Sequence, residues 1–138
     1  MAVAMSEPAI RIALETRLAA LTPAIAIAYE NVSYTPIAGV PYARVALMRA
    51  QPANPEFGTF LQAQGIFQVT LEYPQNVGPG VAEARAKLLA DWFYRTLSLA
   101  ASGVVVTINR ASYIMAGFVD GDRWAVPVRV FYSANIPS

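Results

Sequence analysis

Apolar residues recur at spacings of four, four and three through Ile10, Leu14, Leu18 and Leu21, which describes one face of an α-helix. Ser6 stands where it would cap the free amides of a first turn, and Pro8 is tolerated in that turn because its missing N–H costs nothing there. Glu7 and Arg11 are spaced for an i,i+4 pair on another face, and Thr22-Pro23 ends the segment. The period then changes to two. Ile25, Ile27 and Tyr29 alternate with Ala24, Ala26 and Ala28, which predicts a strand with small residues on one side.

Asn31 to Pro41 is a turn-rich connection, followed by a strand from Tyr42 to about Ala50. By parity Val45, Leu47 and Arg49 share one face of it and Arg44, Ala46 and Met48 the other. Residues 51–60 hold two prolines and a glycine and are expected to form an irregular loop interrupting a hairpin. A long strand from about Leu61 to Tyr73 turns Phe67, Val69, Leu71 and Tyr73 one way and Gln68, Thr70 and Glu72 the other.

After the breaker cluster Pro74 to Gly80, residues Val81 to about Leu97 read as the best helix in the chain. Glu83, Lys87, Asp91 and Arg95 form a solvated stripe of alternating sign. Ala82, Ala86, Leu89, Phe93 and Leu97 lie opposite and should meet a sheet, with Leu88 and Trp92 on the flank. Strands follow at Val104 to Asn109, around Tyr113 to Val119, and from Trp124 to Tyr132, the last two joined by the turn Asp120-Gly121-Asp122. Pro127 removes a ladder donor, so its strand is expected at an edge or with its donor side unpaired there. The order is helix, three strands, helix, three strands. It predicts one α+β domain over residues 1–138, with a mixed or antiparallel sheet of about five to six strands, two helices on one face, and residues 1–5 flexible.

Composition narrows the chemistry. Cysteine and histidine are absent, so a disulfide framework, the thiolate nucleophile and the commonest metal ligand and general base are all excluded. Gly78-Pro79-Gly80 before a helix is a weak phosphate motif, because the central proline removes one of the amides. Asp120 and Asp122 are too few oxygens for a calcium loop and read as a hairpin turn. The hydroxyls near turns lack an activating base, and Trp92-Phe93-Tyr94 point about 100° apart on a helix, so they form no flat stacking platform. No catalytic, cofactor or metal residue is therefore assigned.

Charged residues make up only 14% of the chain against 56% hydrophobic, whereas about a quarter charged is ordinary, so apolar area must reach the surface. A protein interface is the simplest outlet for it. The net charge of +1 gives no bulk attraction for nucleic acid or an anionic membrane, and the longest apolar stretch, Leu97 to Ile108, is too short to span a bilayer. The start of the chain is weakly apolar with its first basic residue at Arg11, so no secretory signal is expected. Lys87 is the only lysine, and arginine is the cation that loses least on entering an interface. The expected contact residues are Phe57 and Phe60 in the loop, Leu88 and Trp92 on the helix flank, and Arg44 and Arg49, of which at most one can face a shared apolar core.

The segments Asn31-Val32-Ser33-Tyr34-Thr35-Pro36 and Gly39-Val40-Pro41-Tyr42-Ala43-Arg44-Val45 resemble a block in the tail terminator proteins of long-tailed bacteriophages. Gly65-Ile66-Phe67-Gln68-Val69 follows in matching order, then Tyr73-Pro74 with Gly78-Pro79-Gly80, the aromatic run Trp92-Phe93-Tyr94, and Trp124-Ala125-Val126-Pro127-Val128. The resemblance spans Ile10 to Ile136. It implies a structural subunit, phage- or prophage-encoded, that forms a hexameric ring and caps the tail tube. Such a subunit would stop tube polymerisation and offer a surface to the head-completion protein. Its partners would be copies of itself, the tail tube protein and that head protein, without tight nucleic-acid or membrane binding. It would assemble in the host cytoplasm and end at the head-proximal end of the virion tail. Two other readings stay open from the residues alone: a monomeric head-tail connector or tail-completion adaptor, and a small enzyme or ligand-binding module.

Overall fold

The computed structural model of the chain describes residues 3–50, 60–101 and 103–137, with side chains described for 8–50, 62–101 and 103–134. Two strands carry the architecture. β3 (Phe60–Pro74) and β8 (Arg123–Pro137) are paired antiparallel along their whole length, from Phe60 opposite Pro137 to Pro74 opposite Arg123. β2 (Tyr42–Arg49) flanks β3, and β1 (Ala26–Ala28) runs parallel to β2 at the edge. On the other side of β8 lie three short strands in a row: β7 (Phe118–Asp120), β6 (Tyr113–Ile114) and β5 (Val104–Ile108). β4 (Ser98–Ala101) closes that edge against β5. The main path is therefore β1-β2-β3-β8-β5-β4, and the fold is α+β with a mixed sheet.

The alternation read from the sequence decides which face is apolar. Val45, Phe67, Val69, Leu71, Val126, Val128, Val130 and Tyr132 share one face and are buried. Both helices cover it. α1 (Val3–Ala19) packs on β4, β5 and β8 through Ile10, Leu14 and Leu18, while α2 (Gly80–Trp92) packs on β8, β3 and β6 through Ala82, Ala86 and Leu89. Phe93, just past α2, seats its ring 6.1 Å from that of Phe67.

Several boundaries differ from expectation for identifiable reasons. α1 begins at Val3, so Ser6 is not its cap, residues 3–5 are helical, and Pro8 lies inside the helix. Arg11 pairs with Glu15 and Glu30; the side chain of Glu7 lies outside those described. α2 ends at Trp92, five residues before Leu97. Phe93 and Leu97 are nevertheless buried, because a turn in which Thr96 takes φ 83° delivers Leu97 to the same core. The helical spacing was right about the face, and tertiary packing set the end.

Pro127 lies in a central strand, and the sheet tolerates it through the second of the two expected routes. Its carbonyl accepts the Met115 amide, so its donorless nitrogen faces the same side, at the break between β6 and β7 where residues 115–117 leave the ladder. β8 also continues past Tyr132 to Pro137. The Asp120-Gly121-Asp122 turn closes a hairpin with Asp120 opposite Arg123, and Gly121 takes φ 63°.

Gly65 is the tightest point of the spine. A β-carbon there would overlap the backbone carbonyl of Met48 and stand 2.8 Å from the Tyr132 hydroxyl, both on elements fixed by pairing. Gly65→Ala is expected to lower stability by about 3 kcal/mol, the upper part of the range for overpacking. Chemical denaturation compared with Gly80→Ala, where a β-carbon meets nothing within 4 Å, will check this.

Candidate functional site

The sheet face away from the helices is polar by parity, yet at one end it is closed. Parallel neighbours cannot be joined by a tight turn, so the chain between β1 and β2 must cross over a face, and residues 29–41 do so without a helix. Arg123 fastens this crossover: Nη1 donates to the Val40 carbonyl at 2.6 Å and Nη2 to the Ile37 carbonyl at 2.8 Å. Its guanidinium also lies 5.1 Å from the Tyr42 ring, which packs 4.9 Å from that of Tyr34. Thr70, Glu72 and Arg123 are buried as a result, although strand parity alone would leave them facing water.

An ion cluster sits under the crossover. Arg44 Nη2 lies 3.0 Å from Glu72 and 3.4 Å from Asp120, joining β2, β3 and β7. Glu72 is 1% exposed while Arg44 is 51% exposed, so the acid has lost its water and the base has not. Burial pushes the Glu72 carboxyl above its usual range, and a hydrogen bond with Asp120 adds to the rise against the pull of Arg44. Burial likewise raises Tyr42. A second junction lies at the β1 edge, where Glu30 accepts the Leu47 amide at 2.9 Å and Arg11 at 2.9 Å. The Leu47 amide, and then Arg11, hold the Glu30 carboxyl below its usual range.

Each expected contact residue has a definite place. Arg44 is the cation of the Glu72–Asp120 cluster. Arg49 lies on the opposite face of β2, exposed and near enough to Glu30 to help lower its pKa. The two arginines thus divide between faces as parity required. Leu88 is exposed on the flank of α2. Trp92 is half-buried in a reciprocal clasp: its indole N–H donates to the Arg17 carbonyl at 2.7 Å, and Arg17 donates to the Trp92 carbonyl at 2.8 Å. The guanidinium stacks 3.6 Å from the indole centroid. Each helix thereby satisfies a carbonyl at the C-terminal end of the other, where a cation is favoured by the helix dipole. Phe60 begins β3, and its side chain, like all of Phe57, lies outside the described residues.

Among the described residues, Arg44, Arg49, Leu88 and Trp92 are not brought together as a single site. Sequence reasoning missed Arg17, Glu30, Glu72, Asp120 and Arg123 as structural anchors. The signal for Glu72 was present, an acid between Leu71 and Tyr73 in a buried strand, whereas nothing local marks Arg17. Among the described residues, no group of three acidic side chains is arranged to hold a metal ion. Gly78-Pro79-Gly80 forms the turn into α2, with Pro79 as an N-cap that makes no side-chain bond. Among the described residues, no helix is long and apolar enough to cross a membrane.

The raised Glu72 pKa has a signed consequence. A carboxyl raised above its ordinary value of 4.5 contributes stability below that value and loses it as pH rises through the folded pKa. Glu72→Gln cannot titrate, so its stability relative to the parent should rise between pH 4 and pH 8. Urea denaturation across that range will read the difference; a flat or falling difference contradicts the assignment.

Comparison with known proteins bears on the identity of this arrangement. The phage tail terminator protein family matches residues 9–132. One solved chain, whose description carries no function, superimposes with a TM-score of 0.79 at 28% identity, covering 97% of this chain and 99% of its own. A chain from the virion of a native gene transfer agent particle shares the fold, with a TM-score of 0.62 at 19% identity over 96% of this chain and 97% of its own. No curated protein sequence matches. With a family match that runs from the first turns of α1's buried face to the end of the apolar stripe on β8, the chain belongs to the phage tail terminator protein family.

Proposed function

We propose that this tail structural protein acts as a terminator by assembling into a ring, six copies in all, that seats on the last ring of the tail tube. There it blocks further polymerisation and presents its outer surface to the head-completion protein. The observation that carries the reading is the family match over nearly the whole domain. The surface is consistent with it. Ile12, Val32, Val81, Leu88, Tyr94, Val105 and Val119 are all exposed, on both helices, the segment after α2, the crossover and the short strands β5 and β7, which leaves apolar surface available for contact with other proteins.

A ring requires two unlike faces on each subunit, since a head-to-tail contact closes when its rotation divides a full turn. The described sheet supplies unlike boundaries: a parallel edge at β1, an antiparallel edge at β4, and distinct ends of β3. The role on this reading is recognition by shape, with no reaction performed. In the assembled tail the ring would stand at the head-proximal end, reached after assembly in the host cytoplasm.

Native mass spectrometry over a wide concentration range tests the assembly step. The expected result is a discrete closed species, hexameric, that grows at the expense of monomer and is not followed by an open series. A chain that stays monomeric at high concentration and does not bind tail tube protein would refute the proposal.

A further inference from the structure

The longest apolar stretch of the chain, too short for a membrane, forms the β4–β5 hairpin and with it one edge of the sheet. Thr96 to Asn109 contains neither a charged residue nor a proline. Among the described residues β4 has β5 as its one strand partner, so its other side is open. The ladder fixes which groups that side offers. Ile108 accepts the Thr96 amide and donates to the Leu97 carbonyl, both at 2.8 Å, so by alternation Val106 faces Leu99 and Val104 faces Ala101. Ser98 and Ala100 therefore turn their N–H and C=O groups outward, and their small side chains are exposed. Open edges are ordinarily guarded against pairing by charge or proline, and β4 has neither.

At the opposite edge of the sheet two stretches differ in this respect. The outer half of β2 is guarded, because Glu30 takes the Leu47 amide and Arg11 donates to the same carboxylate. β1 is not: Ala24 to Tyr29 is again free of charge and proline, and Ala26 is exposed. Each edge also carries apolar side chains half-buried against the core, Ile25 and Ile27 at one and Leu99 and Ala101 at the other. Strand direction agrees as well. β1 is parallel to β2, and four antiparallel steps lead from β2 to β4, so β1 and β4 run the same way.

We propose that β4 of one copy adds to β1 of the next as a parallel strand, with Leu99 beside Ile27, so that one apolar face continues between copies. The offset between the two edges fits closure. Through the ladders Leu99 is level with Ala63 of β3, and Ile27 with Leu71. Those positions are eight residues apart, about 26 Å at strand rise, while the strands from β1 to β4 span about 29 Å across at about 4.8 Å each. Untilted copies would climb by that offset and form an open spiral. Strands inclined by about 42° to the ring axis cancel the climb, and about 35–45° is the usual tilt in closed sheets. An even offset also keeps the apolar face on one side. β4 pairing with β4 of a second copy would instead be antiparallel about a twofold axis and would stop at a dimer. The proposal deepens the assembly reading and rests on it.

The chain has no cysteine, so introduced thiols are the only ones present. Ser98→Cys and Ala26→Cys stand at exposed positions that this register sets side by side, within the span of a disulfide. Each variant carries one thiol, so every disulfide formed on mild oxidation of the mixture joins two molecules. The expected product is a covalent heterodimer, at least tenfold above the homodimer from either variant alone. It should exceed by the same factor the heterodimer from Ser98→Cys mixed with Val77→Cys, an exposed position on the 75–79 turn. Adding Ala100→Lys to Ser98→Cys charges the edge and should lower the yield at least tenfold, with circular dichroism confirming the fold. Equal dimerisation by Ser98→Cys alone, the sign of β4 pairing with itself, overturns the proposal, as does a heterodimer no greater than the Val77→Cys control. Native mass spectrometry of the parent separates the two ideas. If the parent assembles and no heterodimer forms, this contact is wrong and the assembly reading stands; a parent that stays monomeric, with no heterodimer, removes both.

Discussion

The pairing of β3 with β8 over fifteen residues each is the constraint on which the rest of the molecule depends. Because side chains alternate along a strand, one register places Phe67, Val69 and Leu71 beside Val130, Val128 and Val126 on a single face. A slip of one strand by one residue would turn its half of that row to the other side and put Glu72 of β3, or Arg129 of β8, under the helices. Every other element is attached to this ribbon. β2 extends it on one side, three short strands share the other, and both helices close the apolar face. The absence of a side chain at Gly65 lets the Tyr132 ring lie across the ribbon and the Met48 carbonyl approach it.

The polar face follows from the same register. It places Glu72 beside Tyr42 on one neighbour and Ala125 on the other, and Arg44 one row along beside Thr70. The crossover from β1 to β2 then has charged and aromatic groups to lie against, and Arg123 holds its carbonyls. A buried acid half-neutralised by an exposed arginine is a weak source of stability, since desolvation offsets most of the attraction. Its better-supported role is positional: Arg44, Glu72 and Asp120 tie three strands together at the end of the sheet where the crossover, the 75–79 turn and the β7–β8 hairpin converge.

Much of this was legible in the sequence. Period-two runs identified β2, β3 and β8 and sorted their residues into two faces, and the five residues expected to meet the sheet from the second helix are all buried. The class α+β followed from element order. What was not legible required distant partners. Helical spacing through Leu97 cannot reveal that Thr96 turns the chain, and Pro127 can enter a central strand only because β6 and β7 leave a gap beside it. The Arg17–Trp92 clasp joins residues 75 positions apart. Trp92 on a helix flank reads the same whether its partner belongs to its own chain or to another. Without histidine and cysteine the chain offers few residues whose chemistry announces a role, so function was carried by the order of strand and turn motifs from Asn31 to Val128, a span that the family match includes.

The buried polar groups of the domain hold one end of its own sheet together, and apolar residues of both helices and of β5 and β7 lie exposed. On the proposed function, this surface stops a tube from growing. Electron microscopy of tail tube protein polymerising with and without the chain is the decisive experiment. The expected result is tubes of arrested length bearing extra density at one end only, in proportion to the amount added. Tubes of unchanged length with bare ends, at concentrations where the chain is folded, would contradict it.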